Sequence, residues 1–494
     1  MAGFHGLGMR TGDNIPVGSI FKTGKFGRMF PHLAPLQVPD AGLIALGDAM
    51  MEGKNGAVGP NDPAGDNASI PAGFTYLGQF IDHDITFDTT GIPEVLVDPQ
   101  AIHNFRTPKL DLDCLYGLGP AAQPFMYQRA DPDKFLIGTN RPTPDQNGTN
   151  IPEKPNDLPR GADGFALIGD PRNDENLIVA QLHLAFLKFH NKVVDKLKSE
   201  GVLASEVFSQ ARRLVTWHYQ WTVLNDFLRR LIDPAVLDDV LKNGRNFYRF
   251  IDEPFIPAEF SVAAYRLGHS MVREEYDYNR VFNPHPGATA RGTLDLLFQF
   301  TGLSGPNSGP FKMPVPTNWI IDWRRFFQGL PAAPGAPTSF NFSRKLDPFA
   351  APALHNLPNV GGEKRLPVRN LLRGSRVGLP SGQAVAAEIG VTALTPAQIA
   401  KGPDGAVAKA HGFDQRTPLW YYVLKKAQVK GKSERLGPVG SRILAEVFVG
   451  MLRGDNGSFL AAAPEWMPTL GKTAGSFSMA DLLLFVDDLN PIGD

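Results

Sequence analysis

One cysteine in 494 residues, Cys114, excludes an intrachain disulfide framework and, with no second thiol, any cysteine-based zinc cluster. No stretch approaches the roughly 18 uninterrupted apolar residues that a membrane-spanning helix needs, so no span is expected. The chain also lacks a dominant charge: 49 lysines and arginines stand against 50 aspartates and glutamates. The net charge of -1 gives no reason to expect nucleic acid or an anionic membrane as a partner. The N-terminal MAGFHGLGMRTGDNIPVGS has neither a basic start nor a continuous apolar run, so it does not read as a secretory leader. A cytoplasmic location or leaderless export is the expectation. Period-two alternation is scarce, and no internal repeat is visible.

What is present is helical. In ENLIVAQLHLAFLKFHNKVVDKLKSE, Leu182, Phe186, Phe189, Val193 and Leu197 recur at steps of four, three, four and four, and the early turns are apolar on nearly every side. This helix is expected to be central and buried. A second stripe, Leu214, Trp217, Trp221, Leu224 and Leu228, runs through EVFSQARRLVTWHYQWTVLNDFLRRLI, and SRILAEVFVGMLRGD supplies a third. Between them lie long segments rich in Gly, Pro, Asn and Asp, among them TNRPTPDQNGTNIPEKPNDLPRG, expected as a loop. The fold class is therefore mainly α, with long loops and little β. Residues 1–69 read as an irregular arm laid over the core, with only PLQVPDAGLIALGDAM locally ordered, and residues 70–494 read as one large catalytic domain.

GQFIDHDITFD, residues 78–88, crowds Asp82, His83, Asp84 and Asp88 among Phe80, Ile81, Ile85 and Phe87. Buried carboxylates cost several kcal/mol each unless a metal, a cation or a covalent bond takes up their charge. Helical spacing brings Gln79, Asp82 and His83 toward one cavity from adjacent faces. Most of the eleven histidines read as ordinary core or surface residues. His183 and His190, seven apart on one helix, lack the spacing of four that a metal pair on a helix uses, and read as satisfied core histidines. His5, His32, His103, His218, His285, His355 and His411 have no acidic context to single them out. His269, in the small and apolar SVAAYRLGHSMVRE, could ligate an iron.

QFIDHD, then Arg172 in GDPRNDENLIVAQLHLAFLKFHNK, then YRLGHS, LPVRNLLRGSRVGLP and LGPVGSRILAEVFVGMLRGD, in that order, resemble the animal-type haem peroxidases of the peroxidase-cyclooxygenase superfamily. The resemblance runs from about residue 70 to residue 460. It implies a haem b between two histidines. His83 matches the distal histidine, Gln79 the distal glutamine and Arg172 the distal arginine. His269 matches the proximal iron ligand and Asn370 the asparagine that accepts its second ring proton. Arg266 and Arg373 match residues near the haem propionates, where a guanidinium fork suits a carboxylate. Asp82 and Glu175 match the acids that form esters with haem methyls, and an ester would remove their burial cost. Asn176 stands where some members carry a methionine that makes a sulfonium link.

The resemblance also implies a calcium site. Thr107, Lys109, Asp111 and Asp113 in TPKLDLDCLYG match the family's calcium loop, with Asp84 completing the sphere, and hydroxyl, carbonyl and carboxylate oxygens suit a hard cation. Lys109 would give only its carbonyl. Asp113 stands where the family has a serine, and adds negative charge.

The function so implied is reduction of hydrogen peroxide, with His83 as base, Arg172 stabilising developing charge and Gln79 positioning water or a halide, to give a ferryl haem. That haem would oxidise bromide, iodide, thiocyanate or small aromatic donors. Chloride is expected to be poor, because the sulfonium methionine is absent. Two alternatives remain: a fatty-acid dioxygenase of the same superfamily, whose radical tyrosine lies three residues before the proximal histidine where this chain has Arg266, and a non-catalytic haem and calcium carrier or adhesion module.

Overall fold

The computed structural model describes residues 24–88, 103–284, 288, 290–303, 314–334, 340–358 and 360–494. Residues 1–23 of the expected arm, with His5, and also His285, lie outside them. Seven of the helices position the site: α1 (Asp40–Ala49), α2 (Gly73–Ile85), α3 (Leu177–Ser199), α4 (Val207–Thr222), α5 (Leu366–Arg376), α6 (Leu419–Lys430) and α7 (Pro438–Gly454). Every sheet among the described residues has only two or three short strands. The fold is mainly α, as the periodicities require. No helix among the described residues is long and apolar enough to cross a membrane.

The expected central helix is α3. Its first eleven residues, 177–187, are all buried, and it packs against α2 and α4. Asn176 caps it, the side-chain oxygen accepting from the Val179 amide at 3.0 Å. Phe186 stacks on Phe80 of α2 with ring centroids 4.7 Å apart and planes 2° from parallel. That contact joins the two helices at the level of the site. Phe186→Ala is expected to cost about 3–5 kcal/mol in equilibrium denaturation, the usual penalty for an aromatic cavity in a close-packed core.

The second stripe is displaced from its expected face. The fully buried residues of α4 are Val207, Ala211, Val215, His218, Tyr219, Gln220 and Thr222, whereas Leu214, Trp217 and Trp221 are only partly buried. The two tryptophans pack instead against Trp466, and Trp221 against Phe459. A π-helical turn over Val223–Phe227 follows α4 and inserts an extra residue, so Leu224 and Leu228 do reach the core.

The run expected as a loop after residue 139 stays irregular apart from the paired Thr143–Pro144 and Asn150–Ile151. Of the N-terminal arm, the DAGLIALGDA portion of PLQVPDAGLIALGDAM forms α1, which packs on α5. Ahead of it, strand β1 (Gly24–Gly27) pairs antiparallel with His103–Asn104 and parallel with Ile256–Pro257. Just beyond β1, Arg28 donates to the carbonyls of Val377 and Gly378 at 2.7 and 3.0 Å, and the buried Glu259 carboxylate accepts the amides of Met29 and Phe30 at 2.9 and 3.2 Å. Asn104 in turn accepts from the Phe87 amide at 2.7 Å and donates to Ile85 O at 2.9 Å, at the end of α2. One short segment therefore ties together α2, the stretch leading to His269, and the end of α5.

Candidate active site

Helix α2 can lie close against its neighbours because it begins at Gly73, where a Cβ would stand 2.7 Å from Phe326 O. It ends at Ile85, where Thr86 turns extended and sends its hydroxyl back to Asp82 O at 3.0 Å. In between, Gln79, Asp82 and His83 line a cavity of about 370 Å³. His83 is buried, and burial, reinforced by the nearby Arg172 charge, lowers its pKa to about 3. Its imidazole is therefore neutral at ordinary pH. Its Nδ1 lies 2.8 Å from Asn173 Oδ1. Asn176 Nδ2 donates to Gln79 Oε1 at 2.9 Å, so the residue that caps α3 also holds the glutamine.

The other side of the same cavity carries Tyr265, Arg266 and His269. After a π-helical turn, Glu259–Ala263, Tyr265 and Arg266 lie in a 3-10 turn, Ala264–Leu267, and His269 follows it. Burial, then the Arg266 charge, lowers the His269 pKa to about 3, leaving a neutral ring able to ligate a metal. Trp420 of α6 donates its indole N–H to Arg266 O at 3.2 Å and fixes the backbone here. His269 does meet Asn370 of α5, but the expected roles are reversed. Asn370 Nδ2 lies 2.7 Å from His269 Nδ1, while Asn370 Oδ1 accepts from Arg266 Nη1 at 2.9 Å. A guanidinium has donors only, so Arg266 claims the amide oxygen and turns the amide nitrogen to the imidazole. Asn370 can accept a proton from His269 only when Arg266 takes another acceptor.

Glu175 and Asn176 also line the cavity. Asp82 and Glu175 are both raised above ordinary carboxylate pKa values by burial, against the pull of Arg172. Neither has a salt-bridge partner among the described residues, and each is the kind of acid that gains from becoming a neutral ester. An adjoining cavity of about 210 Å³ is shared by Asp82, Thr86, Asp88, Arg172, Arg266, Arg369 and Arg373, among others. Arg373 pairs with Asp88, yet its Nη1 is buried with no partner among the described residues. An anionic group in this chamber would satisfy it. A flat macrocycle with two carboxylates, held between His83 and His269 with its acids toward Arg266 and Arg373, fits this donor set.

Arg172 is placed differently from a simple wall residue. It lines the second chamber, and its Nη2 donates to His83 O at 3.0 Å, to Thr86 O at 2.5 Å and to Asp170 Oδ2 at 2.8 Å. Its plane lies over the Phe87 ring at 4.3 Å. Although burial opposes ionisation of Asp170, Arg172 and Arg106 hold it well below the usual carboxylate range. The positive charge is thus anchored against the C-terminal turn of α2, directly behind His83. Asp170 could have been read from the sequence: Asp followed by Pro171 is a helix-start pattern, and its side chain accepts from the Arg172 amide at 2.9 Å. Asn173 carried no such signal.

The two helical histidines divide. His190 is satisfied at both ring nitrogens, by Tyr116 OH at 3.0 Å and Asp133 O at 2.8 Å. His183 meets Asn173 Nδ2 through Nδ1 at 2.9 Å, while its Nε2 is buried without a partner among the described residues.

On the opposite face of α2, the carboxylates of Asp84, Asp111 and Asp113 come within 4.8 Å of one another. Leu112 between the last two adopts φ +56°, a left-handed conformation unusual for leucine, and the turn brings both flanking aspartates to one point. Asp84 Oδ2 accepts from Tyr219 OH at 3.1 Å and from the Leu112 amide at 3.3 Å, while its Oδ1 is buried without a hydrogen-bond partner among the described residues. Burial raises the pKa of all three acids, that of Asp113 to about 7. Thr107 Oγ1 sits 3.0 Å from Asp111 Oδ2, and the Lys109 ammonium points away to Asp455 at 3.5 Å, which leaves its carbonyl for the loop. Three close acids with an orphaned oxygen fit a hard divalent cation.

The family described as Animal haem peroxidase matches residues 93–299. The chain is 26% identical over 241 residues to thyroid peroxidase of Canis lupus familiaris, covering 44% of this chain and 25% of that protein. It is 22% identical over 224 residues to myeloperoxidase of Mus musculus, covering 43% and 28%. The chain thus spans about a quarter of the length of these curated relatives. In fold it is similar to peroxidase A from Dictyostelium discoideum, with a TM-score of 0.59, 16% identity and coverage of 96% of this chain and 94% of that one. It is also similar to the fatty acid alpha-dioxygenase of Oryza sativa, at TM-score 0.55 and 12% identity, covering 92% and 76%. At these identities the structural likeness is one of fold.

Proposed function

We propose that the chain, whose residues 93–299 match the animal haem peroxidase family, is a haem peroxidase that reduces hydrogen peroxide and oxidises bromide, iodide, thiocyanate or small aromatic donors. The observation that carries this reading is the pair of neutral histidines, His83 and His269, on one cavity with Gln79 and two acids whose pKa burial raises. When bound, haem supplies an iron that takes up peroxide and stores the oxidising equivalents freed as the O–O bond breaks. His269 would ligate that iron through Nε2 once its ring proton sits on Nδ1, which requires Asn370 Oδ1 to be released by Arg266. His83 accepts the peroxide proton at Nε2 and returns it to the departing oxygen, which leaves as water. Arg172 stabilises negative charge building beside His83, and Gln79 Nε2 orients a water or a halide. Arg266 and Arg373 would hold the propionates, Asp82 and Glu175 would be the acids joined to haem methyls, with hydrogen peroxide as the two-electron oxidant, and Asn370 would steady His269 if Arg266 turned to a propionate.

The test is rapid mixing of the haem- and calcium-loaded protein with peroxide while following the Soret band, with and without bromide. Fast bleaching of the ferric band, reversed in one step by bromide, supports the reading; an unresponsive band sinks it. After peroxide treatment, the haem is expected to stay with the polypeptide through denaturing extraction, and Asp82→Ala with Glu175→Ala to release it. Chlorination at acidic pH is expected to be slow beside bromination, because Asn176 cannot make a sulfonium link.

Calcium held by Asp84, Asp111, Asp113, Thr107 Oγ1 and the Lys109 carbonyl would lock the base of α2. Calcium at 100 times its Kd is expected to stabilise the fold by about 2.7 kcal/mol, read as a rise in Tm that a chelator reverses. Asp84→Asn is expected to remove most of that response.

The fatty-acid dioxygenase reading has one observation in its favour, since Tyr265 lines the cavity. Its hydroxyl is engaged with Gly78 O at 3.0 Å, and it stands four residues before His269 rather than three.

A further inference from the structure

We propose that Asn173 is a positioning residue that fixes which nitrogen of His83 carries the proton, and that His183 holds Asn173 in the orientation required. A neutral imidazole has one N–H and one lone pair, and the partner at either nitrogen decides which is which. Asn173 Oδ1, which can only accept, lies 2.8 Å from His83 Nδ1, so the proton sits on Nδ1 and the lone pair on Nε2 is left for the cavity. The same amide presents its nitrogen to His183 Nδ1 at 2.9 Å. His183 must therefore accept at Nδ1 and carry its own proton on Nε2.

The three side chains form a row, and all three are buried. Rotating the Asn173 amide by half a turn would set an N–H against His83 Nδ1 and drive the His83 proton to Nε2, which would block the base. The row also ends at His183: its Nε2 meets no partner among the described residues, and its ring lies edge-on to Phe80 at 5.9 Å. With no outlet to solvent, it is a clamp and not a proton wire. Asn173 is held from behind by its backbone amide, which donates to Asp170 O at 3.1 Å. The same aspartate anchors Arg172, so one short 3-10 turn, Pro171–Asp174, sets both the charge and the tautomer behind the cavity.

The catalytic meaning of the clamp rests on the peroxidase reading; the tautomer does not. The test labels the histidines with ¹⁵N in the haem-free protein, identifies the His83 ring signals by their loss in His83→Gln, and compares wild type with Asn173→Leu and Asn173→Asp. Wild type and Asn173→Asp, which keeps an acceptor, are expected to show protonated Nδ1 and bare Nε2. Asn173→Leu is expected to show a mixture of tautomers. His183→Phe, which keeps a ring but removes the acceptor that orients the amide, is expected to give the same mixture and serves if Asn173→Leu fails to fold. In the haem-loaded protein, peroxide should react about 10–100-fold more slowly with Asn173→Leu, the usual loss when an outer partner of a working histidine is removed. A wild-type His83 protonated on Nε2, or a tautomer unchanged in both Asn173→Leu and His183→Phe, overturns the proposal. A clamped tautomer in a haem-loaded protein that ignores peroxide overturns the peroxidase reading and leaves the clamp standing.

Discussion

In the haem-loaded protein, His83→Gln is expected to slow the reaction with hydrogen peroxide by about 10²–10⁴-fold, the range for loss of a general acid-base group. Glutamine fills similar space and can still hydrogen-bond to Asn173, so the cavity should persist. What it lacks is a nitrogen that can take a proton from peroxide and give it back. Stopped-flow traces at several peroxide concentrations separate this from weakened binding: the second-order rate constant falls while the ferric spectrum stays close to wild type. Because burial and Arg172 lower the His83 pKa to about 3, the wild-type base is not protonated near neutral pH, and mild acidification to pH 5 alone should not mimic the variant. A variant that reacts with peroxide as fast as wild type would remove His83 from the mechanism.

The second large effect concerns His269. His269→Gly is expected to lose most haem on reconstitution, measured as the haem to protein ratio after gel filtration, and added imidazole is expected to restore part of it by filling the vacated space. The argument is one of ligand supply. Around the cavity, His269 is the imidazole donor on the side opposite α2, while Asn370, itself held by Arg266, only orients it. Asn370→Ala should do less, weakening haem retention by about 10–100-fold, the customary loss for an outer-shell partner of a metal-ligating histidine. If His269→Gly held haem as wild type does, with an unchanged ferrous spectrum, the iron ligand would have to be sought elsewhere.

How much of this could be read from the chain alone depended on whether the relevant neighbours are close in sequence. Gln79, His83 and Asp84 lie on one helix, so the helical period alone places the first two toward one cavity and Asp84 on the far side toward Asp111 and Asp113. The stripe of α3 was equally legible because the helix is regular throughout. The α4 stripe was misplaced because a π-helical turn breaks the period, and no residue in VLNDF announces one. Asn173 was overlooked for a different reason: its partner His83 is 90 residues away, and an asparagine after an arginine has no local signature. The Arg266 to Asn370 contact, 104 residues apart, could not be inferred either, and it reverses the expected polarity at His269.

The tie made by β1 and the residues after it carries a consequence for assembly. Residues 24–30 leave the ribosome early, but their partners at 256–259 and 377–378 follow more than two hundred residues later. Contacts of such long sequence separation form late, since loop-closure entropy is lost before they repay it. The pocket is thus expected to stay parted along the seam between α2 and the His269 segment until the N-terminal strand docks. That interval gives a large, flat, greasy cofactor a wider way in than the finished pocket.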